Sequence, residues 1–213
     1  MKKWLLLLCF PIIAWGQINV GNDQIICNKD IANVIGTTPV QSSTDSYQIT
    51  NIIFTPEAIS GISIALSDDD VQGPFPIGFA FQFYGNNYTD FYVGSNGWIG
   101  FTAGQPTALS AIAIPDTGSG WNSVPRDCIM LSWEDLNPST GGQVVYQTIG
   151  NAPNRKFVLT FDAVPYYSTT IPVTSQVVLH EGSNIIDNHT VDKPLHTNPS
   201  VQGLHDLTGT KAT

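Results

Sequence analysis

The chain has 213 residues, of which 42% are hydrophobic and only 12% are charged, and its formal net charge is −9 at pH 7. The hydrophobic fraction is too high for a disordered chain, and the charged fraction is far below the roughly 25% that is usual in soluble domains, which argues against a helical bundle. With 8 Lys and Arg residues against 17 Asp and Glu residues, the chain lacks the basic surface that nucleic-acid binding requires.

The first sixteen residues have the organisation of a signal peptide. Two lysines precede the apolar run 4–14, and Ala14 and Gly16 place small residues at the −3 and −1 positions of a cleavage site. We therefore expect a mature chain that begins at Gln17 and is secreted or displayed at the cell surface. The apolar run is shorter than the roughly 20 residues that span a bilayer, and no later segment is long enough, so we expect no transmembrane segment.

The cysteines leave two alternatives open. Cleavage of the signal peptide removes Cys9 and leaves Cys27 and Cys128. An even pair of cysteines in an exported chain is compatible with one disulfide. Two buried free thiols are an equally good interpretation, because spacing alone does not show whether the two Cα atoms come close enough to be bridged.

After the signal peptide, strand and turn signals dominate the sequence. Residues 17–45 are predicted to be a lead-in segment or an edge strand, and residues 46–213 a single domain. Within that domain, short apolar or alternating runs end at Gly, Pro, Asn or Asp, which is typical of strands and turns. The predicted strands are 47–54, 62–66, 77–83, 90–93, 98–102, 128–133, 143–149, 156–164, 174–181, 184–191 and 201–204.

This pattern predicts an all-β fold, an antiparallel β-sandwich of jelly-roll-like or Ig-like type. The segment 103–113 is the one place where a helical turn is plausible. Two hairpins are predicted, one joining 143–149 to 156–164 and one joining 174–181 to 184–191 through a two-residue turn. If the chain is a fragment of a longer protein, the last strand of the sandwich lies beyond Thr213.

The four histidines lie among the last 34 residues, which suggests a metal site, but the second hairpin argues against one. With Gly182-Ser183 as the turn, His189 is predicted to lie opposite Gln176, several residues along the ladder from His180. Histidines that far apart cannot share a zinc ion, whose ligand bonds are near 2.1 Å.

The acidic residues offer a calcium hypothesis and a catalytic one. Asp68, Asp69 and Asp70 could supply the oxygen ligands that Ca²⁺ prefers, although a simple turn explains the cluster as well. Glu134 and Asp135 could provide paired carboxylates for hydrolysis. Adjacent residues on a strand point to opposite faces, so that pair would need a turn in the chain. We expect no catalytic residues and no cofactor other than calcium.

Aromatic residues suggest a different kind of site. Phe79, Phe81 and Phe83 alternate as a core face does. Trp121, Tyr166 and Tyr167 stand instead in loop-like contexts, where they could form an exposed platform for a sugar or a protein. The loops 103–126 and 165–172 are the predicted binding loops, since connecting segments on a rigid scaffold commonly carry function.

Several motifs resemble a family of exported modules. They are GPFPIGFAFQFYG at 73–85, VGSNGWIGF at 93–101 and WEDLNPSTGG at 133–142. The chain from about residue 60 onward is similar to β-rich domains of surface and secreted proteins of Bacteroidetes, found beside PKD or Ig-like repeats and gliding-motility-associated or sorting C-terminal domains. It is more distantly similar to nidogen-type extracellular modules. His180 departs from the family, which more often has tyrosine there.

The resemblance implies a non-catalytic extracellular module for adhesion, binding or structural display at the bacterial cell surface. Its expected partners are an extracellular glycan, a protein, or neighbouring domains of the same chain. One alternative is a carbohydrate-binding module of a larger secreted enzyme. A carboxylate-based hydrolase is a second alternative, and it requires two carboxylates among residues 68–70, 134 and 135 to converge in one cleft.

Overall fold

A computed structural model describes residues 44–118 and 124–213, which fall within one compact unit, 42–213. The predicted signal peptide and nearly all of the predicted lead-in segment lie outside the described residues. The regular elements of the described part are β1 (Ile62–Ile64), β2 (Val71–Phe83), β3 (Asn86–Gly94), β4 (Trp98–Gly100), β5 (Cys128–Trp133), a 3-10 helix (Pro138–Thr140), β6 (Gln143–Ile149), β7 (Lys156–Pro165), β8 (Pro172–His180), β9 (Ile186–Asp192) and β10 (Val201–His205).

These strands form two antiparallel five-stranded sheets that pack as a sandwich. The first sheet has the order β1-β6-β7-β8-β9, and the second sheet has the order β10-β5-β4-β3-β2. Strands β6 to β9 and β2 to β5 pair in chain order, whereas β1 joins β6 and β10 joins β5. The predicted all-β antiparallel sandwich is confirmed.

The core between the sheets follows the period-2 alternation of the strands. Phe157, Leu159 and Phe161 of β7 are fully buried, as the alternation predicts. Phe91 of β3 meets Phe157 with ring centroids 4.8 Å apart, so aromatic contacts join the two sheets directly. Burying one such side chain contributes about 2 kcal/mol, and this shared core holds the sheets together.

The outer face of the first sheet is also covered, by the segment 44–60, which we call the strap. Gln176 of β8 accepts a hydrogen bond from the Glu57 amide at 2.7 Å and donates to Thr160 Oγ1 at 2.9 Å. The Lys156 ammonium pairs with Glu57 Oε1 at 2.6 Å. Thr160 of β7 and Gln176 of β8 are both buried on the outer face of the sheet. The strap thus covers these polar side chains and supplies hydrogen-bond partners to Gln176.

The prediction of a strand at 47–54 is wrong, because these residues belong to the strap and pair with no strand. Tyr47 packs on Phe83 with ring centroids 5.5 Å apart. Beyond it, the strap carries five exposed large apolar side chains, of which Ile49 and Ile53 are the most exposed at 78% and 82%. An apolar run becomes a strand only if a neighbouring strand is available to pair with it. The sequence of 47–54 shows the apolar run but not whether such a partner exists.

Other elements agree with the sequence in part. The register of β8 and β9 places Gln176 opposite His189, as predicted. Strand β2 begins at Val71, six residues earlier than expected, and runs through Pro74 and Pro76. Proline is tolerated there because β2 is the edge of the second sheet. The segment 103–113 contains no helical turn.

Candidate functional site

Five loops meet at one end of the sandwich, which we call the loop end. Strand β5 ends there at Trp133, and the connection that follows β7 turns back towards β8 at the same end. Tyr167 donates its amide to the Asp135 carbonyl at 2.9 Å, which ties two of the loops together. The loop end comprises residues 67–70, 95–97, 134–137, 166–171 and 193–196.

Three carboxylates converge at the loop end. Asp68, Asp69 and Asp135 each offer one oxygen, and these oxygens all lie within 4.8 Å of one another. Asp70 does not join them, since its carboxylate accepts hydrogen bonds from the Ser67 amide at 3.2 Å and from Gln72 at 2.7 Å. Within residues 44–118 and 124–213, this triad is the one group of acidic, histidine or cysteine side chains arranged to hold a metal ion.

Asn96 holds the triad in place from the turn between β3 and β4. Its Nδ2 donates to Asp69 Oδ1 at 3.0 Å and to the Thr107 carbonyl at 3.1 Å. Its Oδ1 accepts the amide of Leu136 at 2.9 Å. One buried side chain therefore fixes both loops that carry the triad. The sequence analysis named Asn96 only as part of the motif at 93–101.

The triad is electrostatically strained. Burial, followed by repulsion from Asp69 and Asp68, raises the pKa of Asp135 to about 6. Burial and the neighbouring Asp69 also raise the pKa of Asp68. Asp68 Oδ1 is buried and has no hydrogen-bond partner among the described residues. Unpaired carboxylate oxygens at this spacing would be stabilised by a bound cation.

Glu134 has a different role from its neighbour Asp135. The chain leaves strand geometry after Trp133, and the Glu134 side chain enters the protein, where it is buried. It pairs with the Lys193 ammonium, and its Oε1 lies 3.2 Å from His196 Nδ1. Both residues of the predicted carboxylate pair therefore lie at the loop end, but Glu134 is already neutralised by a lysine.

Tyr166 is not part of an exposed platform, which corrects the sequence prediction. Its side chain is fully buried, its ring stacks on His196 with centroids 4.3 Å apart, and its hydroxyl donates to the Pro194 carbonyl at 2.8 Å. Adjacent tyrosines point in opposite directions here, so Tyr167 is 47% exposed. Trp121, the third member of the predicted platform, lies outside the described residues.

Much of the predicted binding loop 103–126 packs against the second sheet. Trp98, Met130 and Trp133 form a small second core on the outer face of that sheet, with Ala108 and other loop residues over them. Trp133 Nε1 donates to the Ala108 carbonyl at 2.7 Å. The described part of this loop is therefore largely structural, and residues 119–123 lie outside the description.

The four histidines are separated, and the hairpin register predicted this for His180 and His189. His180 Nε2 lies 2.7 Å from Asp187 Oδ2, His189 packs on Phe54, and His205 Nδ1 lies 2.9 Å from the Pro125 carbonyl. The fourth, His196, belongs to the Glu134 cluster described above.

Cys128 is a buried thiol at the start of β5. Burial, with a further contribution from the charge of Asp127, raises its pKa well above the ordinary value. Its predicted partner, Cys27, lies outside the described residues, so the choice between a disulfide and two free thiols remains as the sequence left it.

The part of the chain that the structure describes contains no helix with the length and hydropathy needed to cross a bilayer. The two antiparallel five-stranded sheets define the protein as a β-sandwich module. The model of the NIDO-related (nidogen-related) family matches residues 40–211, and the chain belongs to that family. Membership suggests an extracellular module. No curated protein and no solved structure matches the chain.

Proposed function

We propose that this chain is a non-catalytic module for adhesion, binding or structural display at the bacterial cell surface. The observation that carries the proposal is the membership of a nidogen-related family, together with an end of the sandwich that exposes apolar side chains. Tyr167 is 47% exposed, and Leu195 is 99% exposed at the same end. The two loops that carry these side chains are joined by the hydrogen bond from Tyr166 to the Pro194 carbonyl, and loops on a rigid scaffold commonly carry binding residues.

The loop end is held rigidly, which favours a preformed binding surface. The hydrogen bond from Tyr166 to the Pro194 carbonyl fixes the segment that carries Leu195. The Tyr167 amide is fixed to Asp135. A rigid surface loses little conformational entropy on binding, so more of the contact energy contributes to affinity. The expected partner is an extracellular glycan, a protein or a neighbouring domain of the same chain.

Binding of the full-length chain to arrays of extracellular glycans and matrix proteins tests the proposal. We expect selective binding that Tyr167→Ala and Leu195→Ala reduce about tenfold. Ile185→Ala is the matched control, because Ile185 is 53% exposed in the turn between β8 and β9, at the opposite end of β8. Equal losses in all three variants would contradict a surface at the loop end.

The same experiment separates the alternatives. Glycan binding that Trp121→Ala and Tyr167→Ala both abolish would favour a carbohydrate-binding module of a larger secreted enzyme. Release of cleaved sugar or peptide from the array would contradict the non-catalytic proposal. Loss of that release in Asp135→Asn would then favour a carboxylate-based hydrolase.

A second proposal is that calcium binds at the loop end. The triad of Asp68, Asp69 and Asp135 supports it, because their oxygens lie within 4.8 Å of one another and two of the three have raised pKa values. Calcium prefers oxygen ligands, and each of the two loops supplies carboxylate oxygens. It would relieve the repulsion between them and fix their relative positions, and so stabilise the surface beside Tyr167.

A further inference from the structure

His205, the last residue of β10, is a fully buried histidine whose two ring nitrogens both meet the backbone. The Asp116 amide donates to Nε2 at 3.2 Å, and Nδ1 lies 2.9 Å from the Pro125 carbonyl. An amide N–H only donates and a carbonyl only accepts, so the ring carries its proton on Nδ1 and leaves Nε2 unprotonated. The folded arrangement therefore requires a neutral imidazole.

The two contacts of this ring lie on the two arms of the loop between β4 and β5. Asp116 belongs to the first arm, and Pro125 belongs to the second arm, three residues before β5 begins. The Arg126 side chain also joins the arms, because it donates to the Gly118 carbonyl at 2.6 Å. One side chain at the edge of the second sheet thus holds both arms against that sheet.

The arms that the ring holds cover the second core on the outer face of the sheet. Val124, next to Pro125, is buried in this core with Trp98 and Trp133, and Ile114 packs against it from the first arm. Each of these two apolar residues is within two positions of a backbone group that the ring contacts. Loss of the ring's contacts would therefore loosen the cover over two buried tryptophans.

The strand that pairs with β10 offers no stable negative charge to a protonated ring. Cys128 lies opposite His205 in the ladder, and burial raises the pKa of its thiol, which stays neutral. Asp127 is fully buried, and burial raises its pKa to about 6, so it loses its charge in the acidic range. The ion pairs of histidine in the described part of the chain involve His180 and His196.

The other charged groups near the ring have partners of their own. The Asp116 carboxylate accepts an amide two residues further on at 2.5 Å, and Asp206 Oδ1 accepts two amides of its own turn at 2.9 and 2.8 Å. Arg126 carries a positive charge, and the Lys211 ammonium donates to a backbone carbonyl of the strap at 3.3 Å. These groups leave an imidazolium at this position without a dedicated counter-ion.

We propose that His205 is a pH switch that releases the two loop arms from the second sheet in acid. Protonation of Nε2 by solvent removes the lone pair that accepts the Asp116 amide and places a positive charge in a buried site. Both costs are avoided when the ring breaks its contacts and reaches water, which leaves the arms without their attachment to β10. Protonation of a buried histidine is an established way of shifting a protein between two packed arrangements.

The switch lies at the start of β5, whereas the loop end lies at the other end of that strand, so it does not depend on the surface proposed there. In the released state the protein presents in acid an apolar surface that it buries at neutral pH. Asp127 acts in the opposite direction, because a carboxyl whose folded pKa is raised stabilises the fold as the pH falls through 6. A loss of structure in acid at the loop arms therefore cannot come from Asp127.

Hydrogen exchange of the full-length chain, followed by NMR at pH 7.5 and pH 5, tests the proposal. Each protection factor is corrected for the intrinsic exchange rate at that pH. We expect the protection factor of the Asp116 amide to fall at pH 5 by about tenfold or more, while those of the β7 amides change by less than about twofold. Tryptophan emission should shift to longer wavelength over the same pH range.

Two outcomes of this measurement overturn the proposal. Equal protection of the Asp116 amide at both pH values would show that its attachment does not depend on pH. An equal loss of protection in β7 would show that the whole sandwich unfolds in acid, rather than that two loop arms are released.

Two variants make the test specific to this ring. His205→Gln provides an amide oxygen that accepts the Asp116 amide at any pH, and it should abolish the loss of protection in acid. His189→Gln is the matched control, because His189 is a buried histidine in the first sheet, and this variant should keep the loss.

The ¹⁵N chemical shifts of the His205 ring in the unaltered chain give an independent measurement that does not require a variant to fold. They should show an unprotonated Nε2 at pH 7.5 and protonation in step with the loss of protection at Asp116. A ring that is protonated at pH 5 while Asp116 stays protected would overturn the proposal. A loss of protection that persists in His205→Gln would also overturn it.

Discussion

At the scale of single residues, the structure separates neighbours that the sequence places together. Glu134 is buried with Lys193 and His196, whereas Asp135 faces two other aspartates. Tyr166 is in the core and Tyr167 faces solvent. In each case the chain turns between the two residues, and their environments, rather than their chemical type, determine what each can do.

The first prediction concerns the buried carboxylate of Asp127. Its folded pKa, about 6, lies above the ordinary aspartate value near 4. The folded state therefore holds the proton more tightly than the unfolded state, and stability is lost as the pH rises through 6. Asp127→Asn should raise the free energy of unfolding at pH 7.5 by about 2 kcal/mol, with little change at pH 4. Urea denaturation at both pH values measures this, and a destabilised variant at pH 7.5 would contradict it.

The second prediction concerns Asp135 and calcium. Without calcium, Asp135→Asn should raise the melting temperature at pH 7.5, because it removes a carboxylate whose pKa is raised to about 6 by burial and by its neighbours. The gain should shrink at pH 5, where the folded carboxyl is already protonated. With 5 mM CaCl₂, roughly a saturating level for an extracellular site, the unaltered chain should melt higher and the variant should not respond. An unaltered chain that ignores calcium would exclude the ion.

The third prediction compares two adjacent tyrosines. Tyr166→Phe removes a buried hydroxyl that donates to the Pro194 carbonyl and lies 3.3 Å from the Lys193 ammonium. Loss of a buried hydrogen bond costs about 1–2 kcal/mol. Tyr167→Phe, on the exposed neighbour, should change the free energy of unfolding by less than about 0.5 kcal/mol. Chemical denaturation of both variants checks the difference, and similar values for the two would contradict the burial of Tyr166.

At the scale of elements, the turn between β3 and β4 depends on one glycine. Gly97 has a φ of +80°, and a Cβ there would lie 2.3 Å from the Ser132 carbonyl oxygen. This close approach lets the Gly97 carbonyl accept hydrogen bonds from the amides of Leu131 and Ser132 at 3.1 and 3.2 Å. The turn therefore anchors β5 and, through Asn96, the acidic triad.

The fourth prediction uses a second glycine as a matched control. Gly104 has a φ of +77°, but a Cβ there would meet nothing within 4 Å. Gly104→Ala should therefore cost only the backbone strain, about 1 kcal/mol. Gly97→Ala adds a steric clash with backbone and should cost more than about 3 kcal/mol. Urea midpoints measure both, and equal losses would show that the close approach at Gly97 is unimportant.

The sequence predicts elements well where local pattern and pairing agree. The alternation of apolar residues in β7 is sufficient to predict which of its side chains face the core. The Gly182-Ser183 turn after β8 is sufficient to predict the register of β8 and β9, including the pairing of Gln176 with His189. The same logic fails at 47–54, where an apolar run has no strand to pair with. The same reasoning also predicts too short a β2, which begins at Val71 rather than at Ile77. Pro74 and Pro76 argue against a strand unless that strand is known to lie at the edge of a sheet.

Sites are harder to predict because they depend on contacts between distant parts of the chain. Asp69 and Asp135 are 66 positions apart and meet only because the β2–β3–β4–β5 order and Asn96 bring their loops together. Asp127 interacts with Tyr88 of β3 and with Asp206 after β10, which are far from it in the sequence. Nothing in the sequence near Asp127 marks it as buried.

At the scale of the whole molecule, the outer face of each sheet is covered over part of its strands in the described part of the chain. The strap packs over β7 and β8 of the first sheet, and the loop after β4 packs over β4 and β5 of the second. Outward residues of β2, β3 and β9 are exposed. The end of the sandwich that gathers the acidic triad differs from these exposed strands, because it combines converging carboxylates with exposed apolar side chains.

The fifth prediction, and the most direct test of an extracellular module, is the fate of the chain in its native cell. Fractionation with mass spectrometry of the N-terminus should find the protein outside the cytoplasmic membrane, accessible to added protease, and beginning at Gln17. A chain that retains residues 1–16 and stays in the cytoplasm would contradict the account, because neither a surface role nor binding to an extracellular partner would then be possible.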